Sequence, residues 1–132
     1  MEISGEYRMN RHKNREKAVI CIYQGLLVER DTEELINDSF TPEEQKEDAY
    51  MMRIIHRVFD NRERYTALIR PFLEDWSFER LGYIEQAILL CGCAEADEGE
   101  TALPVIINEA VEIAKTYGDD SYRLINGVLD KL

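Results

Sequence analysis

Apolar residues recur along this chain at the three- and four-residue spacing of helices and nowhere alternate long enough to build a strand. Val19, Ile22, Tyr23 and Leu26 fall at i, i+3, i+4 and i+7, which predicts a first helix over about residues 11–28. Asp31 stands three residues before Glu34, and Thr41-Pro42 leads to Glu44. Both pairs have capping-box spacing, and proline suits a first helical position. A short second helix over about 32–38 and a longer third over about 42–59 follow, the third burying Ile54, Ile55, Val58 and Phe59. Asp60 or Asn61 can cap a fourth helix reaching about Leu73, with Tyr65, Leu68, Ile69 and Phe72 in register. Ser77 can cap a fifth, to about Ala96, which is apolar around most of its circumference from Ile84 to Ala94. Such a helix needs neighbours on several sides. The acidic stretch Glu95–Glu100 reads as a loop. Pro104 opens a sixth helix with Ile107, Ala110, Val111 and Ala114 on one stripe and Gly118 as its stop. Asp119, Asp120 or Ser121 caps a seventh, carrying Ile125, Val128, Leu129 and Leu132. The expectation is an all-α, single-domain bundle of about seven helices over residues 1–132, with the order of residues 1–10 left open.

Composition adds little to the fold and more to the function. With 45% apolar and 33% charged residues, the chain has a folded protein's balance rather than a disordered one's. Cys21, Cys91 and Cys93 sit inside apolar runs, and an odd number excludes a full disulfide framework. They read as reduced core residues of a cytoplasmic protein. No stretch approaches the roughly 18 apolar residues of a membrane span, and the N-terminus lacks a signal-peptide core.

Charge is the asymmetric feature. The net charge is −11, yet Arg8–Lys17 holds five of the sixteen Lys and Arg residues. Residues 1–17 carry +2 and residues 18–132 carry −13. Arg8, Arg11 and Arg15 share one helical face, with Lys13 and Lys17 beside it. Cations near a helix N-terminus oppose its macrodipole, at roughly 0.3–1 kcal/mol each. Arg11–Arg15 and Lys13–Lys17 are also like-charge i,i+4 pairs. Two readings stand: a solvated terminus that aids solubility, or a patch held for an anionic ligand such as nucleic acid. Tyr23, two turns further on, is either a core residue or a platform for an unpaired base.

Other candidate chemistry is weak. Cys91-Gly-Cys93 places two thiols about 200° apart on a helix, and His12 and His56 are the only histidines. No metal, no cofactor and no catalytic constellation is expected. Gly92 and Gly127, inside predicted helices, suggest close helix packing.

Three stretches together resemble the NusB family of bacterial transcription antitermination factors. In NREKAVICIYQ the resemblance runs through Arg15, Glu16, Ala18, Ile22 and Tyr23. In LIRPFLEDWSFERLGYIEQAILL it runs through Trp76, Arg80, Leu81, Ile84, Glu85, Ala87, Ile88 and Leu89. The C-terminal part is most specific: Ile107-Asn108-Glu109-Ala110-Val111-Glu112 and Asn126-Gly127-Val128-Leu129-Asp130 match the INEAVE and NGVLD motifs. Residues 11–28 and 65–132 carry the match.

The resemblance implies an all-helical fold of two packed subdomains and no enzymatic activity. It implies binding of single-stranded boxA RNA together with NusE, a small-subunit ribosomal protein, on the RNA polymerase elongation complex. It also implies read-through of terminators, notably in ribosomal RNA operons, and no membrane; a homodimer is left open. The family's RNA contacts map onto Arg11, Lys13, Arg15, Tyr23 and Glu85, and its partner-binding region onto Asp120. The family commonly has Arg where Leu90 stands, Tyr where Ala94 stands and Gln where Ile20 stands, and His12 replaces a basic residue. These departures remove donors; Leu90 and the net charge of −11 support an alternative, a helical protein–protein adaptor that keeps NusE but has weak or no RNA binding. A helical appendage of an RNA methyltransferase is disfavoured because no catalytic domain accompanies the motifs.

Overall fold

The computed structural model describes residues 2–117 and 120–132, with side chains from Asn10 onward. Among the described residues are eight α-helices and no strand. They are α1 (Glu2–Leu27), α2 (Thr32–Ser39), α3 (Pro42–Glu47), α4 (Ala49–Asp60), α5 (Arg62–Ile69), α6 (Tyr83–Glu98), α7 (Leu103–Tyr117) and α8 (Ser121–Leu129). Two 3₁₀ turns, Arg70–Phe72 and Phe78–Arg80, lie between α5 and α6. The side chain of Arg8, and the expected stop and cap at Gly118 and Asp119, fall outside the described residues.

The helix starts differ from expectation in three places, each for a local reason. α1 is helical from Glu2 rather than from about residue 11. Residues 2–10 contain no proline, and extending a helix already nucleated by packing costs little. The expected third helix divides at Asp48, whose backbone (φ −128°, ψ 62°) leaves the helical region. Its carboxylate then accepts the Met51 N–H at 3.2 Å and starts α4 afresh. Ser77 opens only a 3₁₀ turn, the chain is extended at Leu81 and Gly82, and α6 begins at Tyr83. Conversely, most of the acidic stretch is helix rather than loop. α6 runs to Glu98 and stops at Gly99, whose φ of 79° suits glycine and lets its N–H bond the Glu95 carbonyl. The Thr41–Glu44 capping box forms as read, while Asp31 caps α2 through the Glu33 N–H.

α6 is the central helix. Every residue from Gln86 to Glu95 is buried, and α1, α4, α5, α7 and α8 all pack on it. Ile88, Leu89 and Leu90 are each at most 1% exposed. Burial of such a side chain contributes roughly 1.5–3 kcal/mol, which makes this helix the main source of core stability. Gly92 sits where α8 comes closest, since a Cβ there would stand 2.9 Å from Leu129 Cδ2. A Cβ at Gly127 would meet nothing within 4 Å, so close packing is not the reason for that glycine.

The apolar stripes hold with some rotation. Val19, Ile22 and Leu26 are buried, and Tyr23 packs partly against the core. Ile54, Ile55, Val58, Tyr65, Ile69, Ile125, Val128 and Leu129 are buried, while Leu68 and Leu132 face outward. α7 buries Ile106, Ala110, Ile113 and Ala114, a line turned from the expected one because α6 and α8 contact it from two sides.

Candidate nucleic-acid interface

Arg15 is the most constrained of the residues singled out in the sequence. The packing of α1 on α6 carries it inward, leaving its side chain 5% exposed. Nε and Nη2 each donate to the Glu95 carboxylate at 2.8 Å, and Nη1 donates to Glu109 Oε1 at 2.6 Å. Burial opposes the guanidinium charge, but the hydrogen bonds and charge of Glu95, with Glu109 adding, raise its pKa and keep it ionised. Its fork is therefore engaged by protein carboxylates rather than turned to solvent. Tyr50 completes the network from α4, its hydroxyl donating to Glu95 Oε1 at 2.9 Å and meeting Thr101 Oγ1 at 2.8 Å. Burial, reinforced by the Glu95 charge, pushes the Tyr50 phenol well above its ordinary pKa.

Arg11 lies one turn nearer the N-terminus and in a different setting. Its Nε donates to Asp48 Oδ2 at 2.8 Å, and its guanidinium carbon sits 4.7 Å from the centroid of the Tyr50 ring. The arginine side chain is 21% exposed while that of Asp48 is 4% exposed. Asn14 donates to the same Asp48 oxygen at 3.2 Å. Tyr50 therefore joins the two arginine sites, with its ring against Arg11 and its hydroxyl on the carboxylate that binds Arg15.

The other basic residues of α1 spread over its outer faces. Lys13 is exposed, with no hydrogen-bond or ion-pair partner among the described residues. His12 Nδ1 lies 2.8 Å from Glu109 Oε2, and Lys17 donates to Glu44 Oε2 at 2.8 Å while lying over the Phe40 ring. Tyr23 is half-buried about 18 Å further along the helix from Arg11, by the 1.5 Å rise per residue. Glu85 is half-buried in the first turn of α6, where its carboxylate lies over Gly82. Asp120 is exposed at the N-terminus of α8, with no side-chain capping bond. Leu90 and Ala94, expected on the nucleic-acid side, are both fully buried in the core.

The residues absent from the sequence reading are Asp48, Tyr50 and Glu95. Asp48 carried a signal, an acid just before the apolar run of α4. Glu95 was hidden by its acidic neighbours, and only the fold places it under α1. Chemically, this end of the bundle offers a partly exposed arginine and an exposed lysine above buried carboxylates that are paired with Arg11 and Arg15. That suits a small number of phosphate contacts rather than catalysis. Cys21, Cys91 and Cys93 are buried free thiols. Burial raises the pKa of Cys91 and pushes Cys93 up to about 12, so both are held as neutral thiols.

The sequence model of the NusB family matches residues 12–132. The transcription antitermination protein NusB of Neisseria meningitidis serogroup A is 38% identical over 126 residues, covering 92% of this chain and 89% of that protein. The protein of the same name from Macrococcus caseolyticus is 33% identical over 128 residues, covering 94% and 96%. That of Helicobacter hepaticus is 43% identical over 89 residues, covering 66% of this chain and 57% of its own length. The solved structure of T. maritima NusB superposes with a TM-score of 0.83 at 27% identity, covering 92% of this chain and 88% of that one. A chain in the crystal structure of a plectonemic RNA supercoil shares the fold, with a TM-score of 0.80 at 24% identity.

Proposed function

The chain belongs to the NusB family, and on that premise we propose that it is a transcription antitermination factor that binds single-stranded RNA of the boxA type together with NusE. The family is non-enzymatic, and its relatives here bear the name transcription antitermination protein. The observation that carries the reading is the family match over residues 12–132, which takes in Lys13, Arg15 and Lys17 of the basic end of α1 as well as the INEAVE and NGVLD motifs, with Arg11 one residue before it. In this proposal the chain acts in the cytoplasm as one helical RNA-binding domain over residues 1–132. With NusE it joins the RNA polymerase elongation complex and promotes read-through, notably in ribosomal RNA operons.

The roles divide by exposure. Arg11 and Lys13 pair with phosphates, while Tyr23 and Glu85 contact bases. Arg15, 4% exposed, serves by fixing α1 against α6 and α7 rather than by touching RNA. Asp120, exposed at the start of α8, faces the protein partner. A body of net charge −11 repels RNA beyond this short patch, so a basic ribosomal partner supplies much of the affinity.

Two phosphate contacts give a slope of log K against log salt of about −1.4 for a single strand. Fluorescence anisotropy of a labelled boxA-type oligonucleotide over a salt series, with and without NusE, checks this. Arg11→Ala and Lys13→Ala should each flatten the slope by about 0.7. A slope near zero for the parent chain with NusE would sink the RNA role. The acidic body and the engagement of Arg15 favour a second reading, an adaptor that binds NusE without gaining RNA. NusE binding with no RNA gain in the same titration would establish it.

A further inference from the structure

We infer that Asp48 is the positioning residue of this interface: buried between α3 and α4, it orients the Arg11 guanidinium for a nucleic-acid phosphate. The inference rests on the RNA-binding reading and adds to it a residue from a different helix pair than the basic end of α1. Three observations converge on Asp48. Its side chain is 4% exposed, so its charge is directed into the fold rather than to solvent. Its Oδ2 accepts from both Arg11 Nε at 2.8 Å and Asn14 Nδ2 at 3.2 Å, binding two successive turns of α1. Its Oδ1 accepts the Met51 N–H, which fixes the carboxylate to the first turn of α4.

Tyr50, two residues on, places its ring 4.7 Å beneath the same guanidinium. A carboxylate at one edge and an aromatic face below hold the planar group in one orientation. An arginine fixed before binding loses less rotamer freedom when it meets a phosphate, and each such side chain accounts for roughly three- to tenfold in affinity. The opposing effect is the negative charge of Asp48, which repels the same phosphate. Asp48 is buried, so salt screens that repulsion little, and the inference is that orientation outweighs it.

The test uses the full chain with a single-stranded boxA-type RNA oligonucleotide at 0.15 M salt and above. Asp48→Asn offers one acceptor where two are needed, and Asp48→Ser keeps a capping hydroxyl for Met51 while dropping the arginine contact. Far-UV circular dichroism establishes that each variant is folded at the measuring temperature. Both should weaken RNA binding roughly three- to tenfold. In an Arg11→Ala background, which leaves nothing to orient, the same changes should add little.

Equal weakening with and without Arg11 would show a merely structural role and overturn the inference. Unchanged affinity, or tighter binding through removal of the competing charge, would overturn it as well. If the parent chain binds no RNA, the functional reading and the inference fall together. If it binds and loses affinity in Arg11→Ala but not in the Asp48 variants, the inference alone falls. Should neither Asp48 variant remain folded, Arg11→Lys decides. It keeps the charge but not the planar fork, so full affinity in that variant overturns the inference and a loss matching Arg11→Ala supports it.

Discussion

Arginines meet acids in and just beyond the last turns of α6 at two places in this molecule, one inside and one outside. At the first, Arg15 and Glu95 are 5% and 2% exposed and share two 2.8 Å hydrogen bonds. At the second, Arg53, Arg57 and Arg64 are 49%, 34% and 54% exposed and bind Asp97, Glu98 and Glu100. The side-chain chemistry is the same, and Asp97 accepts more partners than Glu95 does, including the Tyr65 hydroxyl at 2.7 Å. The difference is solvent. Water and salt reach each of the outer arginines and compete for their carboxylates. Nothing replaces a partner of the inner pair, so removing either member strands a buried charge. Counting ion pairs would rank the outer group higher, whereas burial makes the inner one decisive for where α1 sits.

The largest expected effect follows directly. Arg15→Ala should destabilise the protein by about 3–5 kcal/mol in urea unfolding, because Glu95 is left buried without its cation. Arg57→Ala in the outer group should leave the urea midpoint nearly unchanged. Equal losses in the two variants would erase the distinction between the groups. Next in size is the accessibility of Cys91, a neighbour of the inner pair whose thiol is raised by burial and by the Glu95 charge. In the parent chain it should resist a thiol-specific reagent until unfolding, and in Arg15→Ala it should react under native conditions. Rapid native reaction in the parent would mean that this end of the bundle opens freely.

The smallest effect concerns a third, exposed pair, Arg70 and Glu79, which joins the two 3₁₀ turns. The Arg70 hydrogen bond lowers the Glu79 pKa from its ordinary 4.5 to about 2. Because the folded state holds that proton less tightly than the unfolded one, the contribution is complete above pH 4.5 and is lost as pH falls toward 2. A carboxyl-detected NMR titration should find the depressed midpoint, moving upward in 1 M salt. A midpoint that ignores salt would show that an exposed pair can escape screening.

Much of the fold was legible along the chain because helix periodicity, caps and stops are local. The stripe Val19–Ile22–Leu26, the Thr41–Glu44 box and the all-round apolar run Ile84–Ala94 each needed only neighbours in sequence. The errors fell where a local signal had a distant purpose. Asp48 looked like an ordinary residue within one long helix, but its carboxylate serves α1 as well as α4. Glu95 looked like the start of an acidic loop, but the cation it meets lies eighty residues away. The candidate site was half legible. Charge patterning found the basic end of α1 and could not tell which cations face water.

The sequence by itself determined an all-helical chain, its central helix, its basic first helix and its family, because these are written in spacing, composition and motif. Tertiary structure alone decided the division of labour among similar residues. Arg11 and Arg15 stand one turn apart on the same helix, yet one is 21% exposed beside Asp48 and the other 5% exposed on Glu95. That choice depends on how α4, α6 and α7 crowd around α1. Desolvation, which decides whether a charge is free to act or must be paired, is a property of the whole packed bundle.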